Sequence, residues 1–298
     1  MVLHMIGLGL SDEKDISVKG MEAVQASDKI YLEMYTAILM ISNERLSEFF
    51  GKEIVVADRE FVESGCAQMI EEAKTQVVSF LVVGDPFCAT THTDLYLRCM
   101  EAGLSVNVIH NASIVSAMGC CGLQVYRFGE IVSIPFFTEN WRPTSFYSKI
   151  KGNATRDLHT LALLDIKVKE PTLESLARGK PVYMPPRYMS TKVAAQQLIE
   201  AAQTEDAEAP CYSGETKCFG LARVATETQF VVSGTLNDFA TVIDMGPPLH
   251  SLALCGELHE IEEQMYQHFL HSKPENAARV AEYTVAREAE EESKEESV

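Results

Sequence analysis

The stretch Val77-Val78-Ser79-Phe80-Leu81-Val82-Val83-Gly84-Asp85-Pro86 decides how the rest of this chain is read. It is apolar at nearly every position up to Val83 and then stops at Gly-Asp-Pro, which predicts a strand buried on both faces. Such strands belong to parallel sheets covered by helices on either side. Outward from it, toward the N-terminus, strands are expected over 2–8, 29–34 and 53–57, with helices over 17–27, 43–50 and 61–74. Toward the C-terminus follow a helix over 91–102, a strand over 106–110 and a small-residue helix over 112–121. Strands alternating with helices imply a parallel sheet with helices on both faces.

The pattern changes near 135–145, where Pro135, Trp141, Arg142 and Pro143 punctuate it. Beyond lie an expected helix over 144–153, a strand over 159–165 and a polar, proline-rich stretch to 189. A helix over 190–203, strands over 216–225, 229–233 and 251–255, and a helix over 256–270 follow. Longer paired strands here suggest a mixed sheet. The reading gives an N-terminal α/β domain over 1–138, a C-terminal α/β domain over 139–272, and an acidic, solubilising, disordered tail over 273–298, where Glu dominates.

The chain has 298 residues and a net charge of -18, long enough for two cores and too acidic to expect a nucleic-acid partner. No run approaches the roughly 18 apolar residues of a membrane span, and no basic start or small-residue cleavage site marks a signal peptide. The expectation is a cytoplasmic protein without a membrane partner. The eight cysteines form no C-x-x-C pair, so reduced thiols are expected rather than a metal site.

Three stretches point to chemistry, and each follows a predicted parallel strand. The first is MIGLGL, residues 5–10, a strand entering a Gly-x-Gly turn. Gly7 and Gly9 let backbone come close to a ligand. A pyrophosphate cradle needs a third glycine three residues after Gly9, where this chain has Asp12, followed by Glu13. Glu33, ending the second strand, is the one feature that favours a dinucleotide, since it sits where a ribose-binding acid is expected. The second stretch is Val83-Gly84-Asp85-Pro86-Phe87-Cys88-Ala89-Thr90-Thr91-His92, in which Asp85 offers a carboxylate to a cation or a hydroxyl pair. A plain turn with Thr90 or Thr91 as a helix cap explains the threonines but not Gly-Asp-Pro after so apolar a strand. The third is the run from Ile109 through His110, Asn111, Ala112, Ser113 and Ile114 to Gly119, where Asn111 or Ser113 is a candidate cap.

Together with HTLALLDIKVKE (159–170), PPRYMS (185–190) and GPPLHS (246–251), these strings resemble the diphthine synthase family from residue 1 to roughly 270. That family sits within the tetrapyrrole methylase-like methyltransferases. The resemblance implies a two-domain α/β fold, mostly parallel in its N-terminal sheet and mixed in its C-terminal sheet, with the cofactor in the interdomain cleft. It implies S-adenosyl-L-methionine as cofactor, S-adenosyl-L-homocysteine as product and no metal. The stretch ending in PPRYMS is similar to the eukaryotic branch, which implies four methylations of a modified histidine on translation elongation factor 2, giving diphthine methyl ester. A homodimer is implied as well.

Carried over position by position, the resemblance implies that Leu10, Asp85, Cys88, Ser113, Ile114, Leu164, Val224 and His250 line the cofactor, with Asp165 and Arg223 flanking them. The family commonly has Gly after GDPF, where this chain has Cys88. His250 also has a plainer reading, a hydrogen-bonding residue at a strand start. Trp141, Arg142, Tyr147, Arg187 and Tyr188 are candidates for meeting a protein substrate. No catalytic base is assigned. A tetrapyrrole methyltransferase, a non-catalytic cofactor-binding partner protein and, disfavoured by Asp12, an NAD oxidoreductase stand as alternatives.

Overall fold

A computed structural model describes residues 2–39, 41–170 and 182–295. Residues 171–181 of the proline-rich stretch and 296–298 of the acidic end lie outside the described residues. The chain divides into two compact units, Met1–Ala117 with Ile166–Pro186, and Met118–Asp165 with Arg187–Val298. The first unit thus ends inside the small-residue stretch 112–121 and takes up a second segment of chain after residue 165.

In the first unit β1 (Val2–Gly7), β2 (Lys29–Glu33), β3 (Ile54–Ala57), β4 (Val78–Val82) and β5 (Ser105–Ile109) form one sheet in the order β3-β2-β4-β1-β5. Every pairing in it is parallel. β4 is buried at all its positions, as its composition predicts. Leu3, Met5, Phe80 and Val82 pack on one face with Tyr31 and Met69. Ile6, Leu8, Leu81 and Val83 pack on the other with Val24 and Leu46. The period of two along each strand therefore serves two cores. α1 (Val18–Ala26) and α2 (Asn43–Phe50) start on Ser17 and Ser42, whose side chains accept from Gly20 N and Arg45 N. The segment expected as one helix over 61–74 is a π-turn over Phe61–Gly65 followed by α3 (Ala67–Ala73). α4 (Thr93–Glu101) has no side-chain cap at its start. α5 is the single turn Ile114–Ala117, continued by a 3-10 turn over Met118–Cys121. The short strand β8 (Ile166–Lys167) also belongs to this unit.

The second unit has β6 (Val132–Ile134), α6 (Ser145–Ala154), β7 (Thr160–Leu164), β9 (Arg187–Tyr188) and α7 (Thr191–Glu205). After these come β10 (Lys217–Ala222), β11 (Phe230–Thr235), α8 (Leu236–Thr241), β12 (His250–Leu254), α9 (Glu260–His268) and α10 (Pro274–Glu295). Its sheet runs β11-β10-β12-β7-β6 and is mixed. The β6–β7 pair is parallel, and the others are antiparallel. Two cores cover its faces, one holding Phe230, Val232, Leu252 and Leu254, the other Leu161, Phe219, Leu221 and Ala253. Of the residues read as an acidic tail, Pro274–Glu295 form α10, whose Val280 is buried in the first of these cores.

Candidate functional site

The loops after β1, β4 and β5 leave neighbouring strands at their carboxyl ends, the edge at which open α/β sheets bind ligands. Backbone bonds lock the first two loops together. Leu8 N donates to Val82 O at 2.8 Å, Gly9 N to Gly84 O at 3.2 Å, and Gly84 N to Gly9 O at 2.7 Å. A Cβ at Gly7 would lie 2.6 Å from Gly84 O and 2.7 Å from Asn111 Cβ, so only hydrogen fits there. Gly9 turns the chain with φ of 80°, a left-handed conformation that side chains resist.

The third loop is tied to both others through Asn111 and His110. Asn111 Nδ2 donates to Gly7 O and to Asp15 O, each at 2.9 Å. Asp85 Oδ2 accepts from His110 Nδ1 at 2.8 Å and from Asn111 N at 3.1 Å, while Oδ1 accepts from Phe87 N at 2.9 Å. Asp85 is only 4% exposed. Burial pushes its carboxyl up, but these hydrogen bonds and the His110 ring outweigh burial and hold it below the usual carboxylate range. Asp85 is thus a buried, ionised post that orders two loops.

The expectation that Thr90 or Thr91 caps α4 is replaced by a different contact. Thr90 Oγ1 donates to Pro86 O at 2.6 Å, and His92 Nδ1 bonds the same carbonyl at 3.1 Å. Burial lowers the pKa of His92 to about 4, so the neutral ring donates from Nδ1. Ser113 Oγ accepts from Val115 N at 3.3 Å and Asn111 Oδ1 from Ala112 N at 2.7 Å. Burial, then the nearby Asp85 carboxylate, push the Cys88 thiol up. Cys88 therefore faces Asp85 as a neutral group. Left-handed backbone in this loop falls on Gly84, with φ of 81°, and Ala89, with φ of 61°, and Cys88 is free of it.

Two features that bore on a dinucleotide are used up internally. Glu33 is fully buried and accepts from Tyr35 N and Thr36 N at 2.7 Å and from Thr36 Oγ1 at 2.7 Å. It closes its own turn and, fully buried there, is out of reach of a ribose. In the first loop, Leu10 N and Ser11 N donate to Asp15 Oδ2 at 3.1 and 2.8 Å. The amides that would cradle a phosphate already hold a carboxylate. Glu13 is 5% exposed and pairs with Arg45, whose guanidinium holds it below its ordinary range. A cluster that is closed to anions and carries Asp12, Asp15 and an ionised Asp85 suits a positively charged ligand, as a sulfonium with an ammonium group is.

Of the residues expected to line a cofactor, Leu10, Asp85, Cys88, Ser113 and Ile114 lie on these three loops of the first unit. Leu164, Val224 and His250 lie in the second unit, at the end of β7, just after β10 and at the start of β12. His250 Nε2 donates to Pro247 O at 2.9 Å, and Nδ1 accepts from Thr191 N at 3.4 Å. Burial lowers the pKa of His250 to about 4, so the ring is neutral. Arg223, with φ of 49°, is a pin. Its Nη1 donates to Met245 O at 2.9 Å and to Pro247 O, and its Nη2 to Tyr283 Oη at 3.0 Å. Asp165 Oδ2 accepts from Phe136 N at 3.0 Å, fixing the turn after β7. Among the protein-facing candidates, Tyr147 is buried and its hydroxyl accepts from Cys211 N, which makes it structural. Trp141 is exposed, Arg142 spans both oxygens of Glu200, and Arg187 lies over the Phe136 ring at 5.0 Å.

Sequence reading left out Asp15 and His110 as site residues. The run Ser11-Asp12-Glu13-Lys14-Asp15 offers three carboxylates, and only the fold shows which one turns back on the loop. Among the described residues, no three His, Cys, Asp or Glu side chains gather as a metal-ligand set, and no helix is long and apolar enough to cross a membrane.

Residues 2–240 match the model of the tetrapyrrole (corrin/porphyrin) methylases. The chain is 52% identical over 280 residues to the diphthine methyl ester synthase of Homo sapiens, covering 93% of this chain and 97% of that protein. It is 49% identical over 271 residues to the diphthine methyl ester synthase of Dictyostelium discoideum, covering 90% and 98%. A crystal structure of a diphthine synthase superposes with a TM-score of 0.77 at 33% identity, covering 94% of this chain and all of the other. The chain therefore belongs to the tetrapyrrole methylase family, in the branch of the diphthine methyl ester synthases.

Proposed function

We propose that this protein is an S-adenosylmethionine-dependent methyltransferase of diphthamide biosynthesis. It methylates the aminocarboxypropyl-modified histidine of translation elongation factor 2 four times, first on the amine and last on the carboxylate, to give diphthine methyl ester. The observation that carries the reading is the loop cluster after β1, β4 and β5, closed to phosphate by Asp15 and built around ionised Asp85. Relatives identical at about half their positions support it.

S-adenosylmethionine supplies a methyl group on a positive sulfonium and leaves as S-adenosylhomocysteine. The residues assigned to hold it are Leu10, Asp85, Cys88, Ser113, Ile114, Leu164, Val224 and His250. Neutral His250 and the Arg223 pin keep the segment before β12 in place. Most of the acceleration comes from holding the acceptor in line with the transferable methyl. Trp141, Arg142 and Arg187 are of the types that anchor protein partners. The protein works in the cytoplasm as a homodimer, without metal, nucleic acid or membrane.

The test is mass spectrometry of elongation factor 2 carrying the unmethylated intermediate, incubated with this protein and excess S-adenosylmethionine. The expected result is a gain of four methyl groups, one of them lost in mild base as an ester is. Three base-stable methyls would overturn the ester assignment. No gain despite cofactor binding would leave a binding protein.

A further inference from the structure

We infer that His110 is the general base that takes the proton from the substrate amine before each nitrogen methylation, oriented for this by Asp85. The inference rests on the reading that an amine is methylated. An ammonium has no lone pair to give, so each nitrogen step needs a proton acceptor, whereas the final carboxylate step needs none.

The geometry is that of a buried acid behind an exposed imidazole. The Asp85 side chain is 5% exposed and that of His110 68%, with Nδ1 2.8 Å from Oδ2. An ionised carboxylate only accepts hydrogen bonds, so Nδ1 carries the proton of the shared bond. In the neutral ring, Nε2 then holds a lone pair on the exposed side. Asp85 cannot swing away, because Phe87 N and Asn111 N hold its two oxygens. The Phe87 ring, centred 6.3 Å from the imidazole, flanks it. His110 directly precedes the Asn111–Ile114 loop, whose Ser113 and Ile114 are assigned to the cofactor. In the step, an N–H proton of the substrate ammonium moves to His110 Nε2. The freed nitrogen pair forms the N–CH3 bond as the methyl–sulfur bond breaks, leaving its electrons on sulfur. The imidazolium then returns its proton to water. Asp85 stabilises the imidazolium without taking that proton.

The decisive variant is His110→Asn, whose side-chain amide keeps a donor for Asp85 Oδ2 and lacks Nε2. It is compared with the wild type on two forms of elongation factor 2, one bearing the free amine and one bearing the trimethylated nitrogen with a free carboxylate. The expected result is a fall of roughly a hundredfold in the first nitrogen methylation, with the carboxylate step and calorimetric S-adenosylhomocysteine affinity held within about threefold. Long-range proton–nitrogen NMR of the unliganded wild type should show the His110 ring protonated at Nδ1, and Asp85→Asn should abolish that preference. An unchanged amine rate, an equal fall in both steps, or an Nε2-protonated ring would each overturn the assignment. Wild-type protein that methylates neither form would instead sink the functional reading, and the base with it.

Discussion

Asp15 shows how one side chain fixes what a loop will accept. Its carboxylate spans Leu10 N and Ser11 N, and its own carbonyl is held by Asn111 Nδ2. Asp15→Ala strands two partly buried amides, which costs about 1–3 kcal/mol. Urea denaturation should show that loss, and calorimetry a weaker affinity for S-adenosylhomocysteine. Stability unchanged within error would mean that water replaces the carboxylate at no cost. At this scale the sequence was legible where geometry is local. Gly7 and Gly9 announced a close approach, and Asp12 argued against pyrophosphate. It was silent where partners come from afar. Asp85 and His110 are 25 positions apart, and Arg223 reaches Tyr283 across 60, so no spacing reveals either pair.

Among the elements, segments with a clear apolar pattern were read well, and very short or charge-crowded ones were not. β4 and α2 lie where apolar runs and a serine cap put them. β6 has three residues and α8 six, too few for a period to show. α10 was missed because Glu crowds its far end, although Val280 and Tyr283 sit at helical spacing on its inner side. The helix is a structural part of the second unit. Arg223 Nη2 bonds Tyr283 Oη, and Arg287 Nε bonds Asp244 Oδ2 at 2.6 Å. Truncation after Lys273 should lower stability on the order of 3 kcal/mol, from lost burial of Val280 and an under-partnered Arg223. Thermal melting of the truncated chain checks this. A wild-type midpoint would show that α10 contributes nothing. In the first loop, Gly9→Ala would place a Cβ 2.5 Å from Asp15 Cβ at a φ of 80°. The expected cost is about 1–3 kcal/mol, with cofactor affinity falling in parallel. Denaturation and calorimetry on one preparation test both.

Over the whole molecule, acid should weaken the fold before its carboxylates titrate. His92 in the first unit and His250 in the second are buried and neutral, each with its pKa lowered to about 4. Burial, the largest effect on it, lowers His159 as well. A depressed histidine leaves the unfolded chain binding the extra proton, so stability is full above the unfolded value near 6.5 and falls as pH drops toward 4. His92 and His250 should each cost on the order of 2 kcal/mol between pH 7 and pH 5. Glu33, raised by burial, works in the opposite direction. Asp85 and Glu262 are held below their ordinary range, so their contributions are lost only under more acidic conditions. Urea unfolding at pH 7, 6 and 5 reads the slope, and a flat profile would show that these histidines take up protons in the fold as readily as in the unfolded chain. A last consequence follows from the carboxylate seated on the first loop's amides. Cells are crowded with ATP and dinucleotides, and a glycine turn with open amides would be in constant competition with them. Here the seat is taken from within, so millimolar ATP or NAD should leave S-adenosylhomocysteine binding unchanged in a displacement titration.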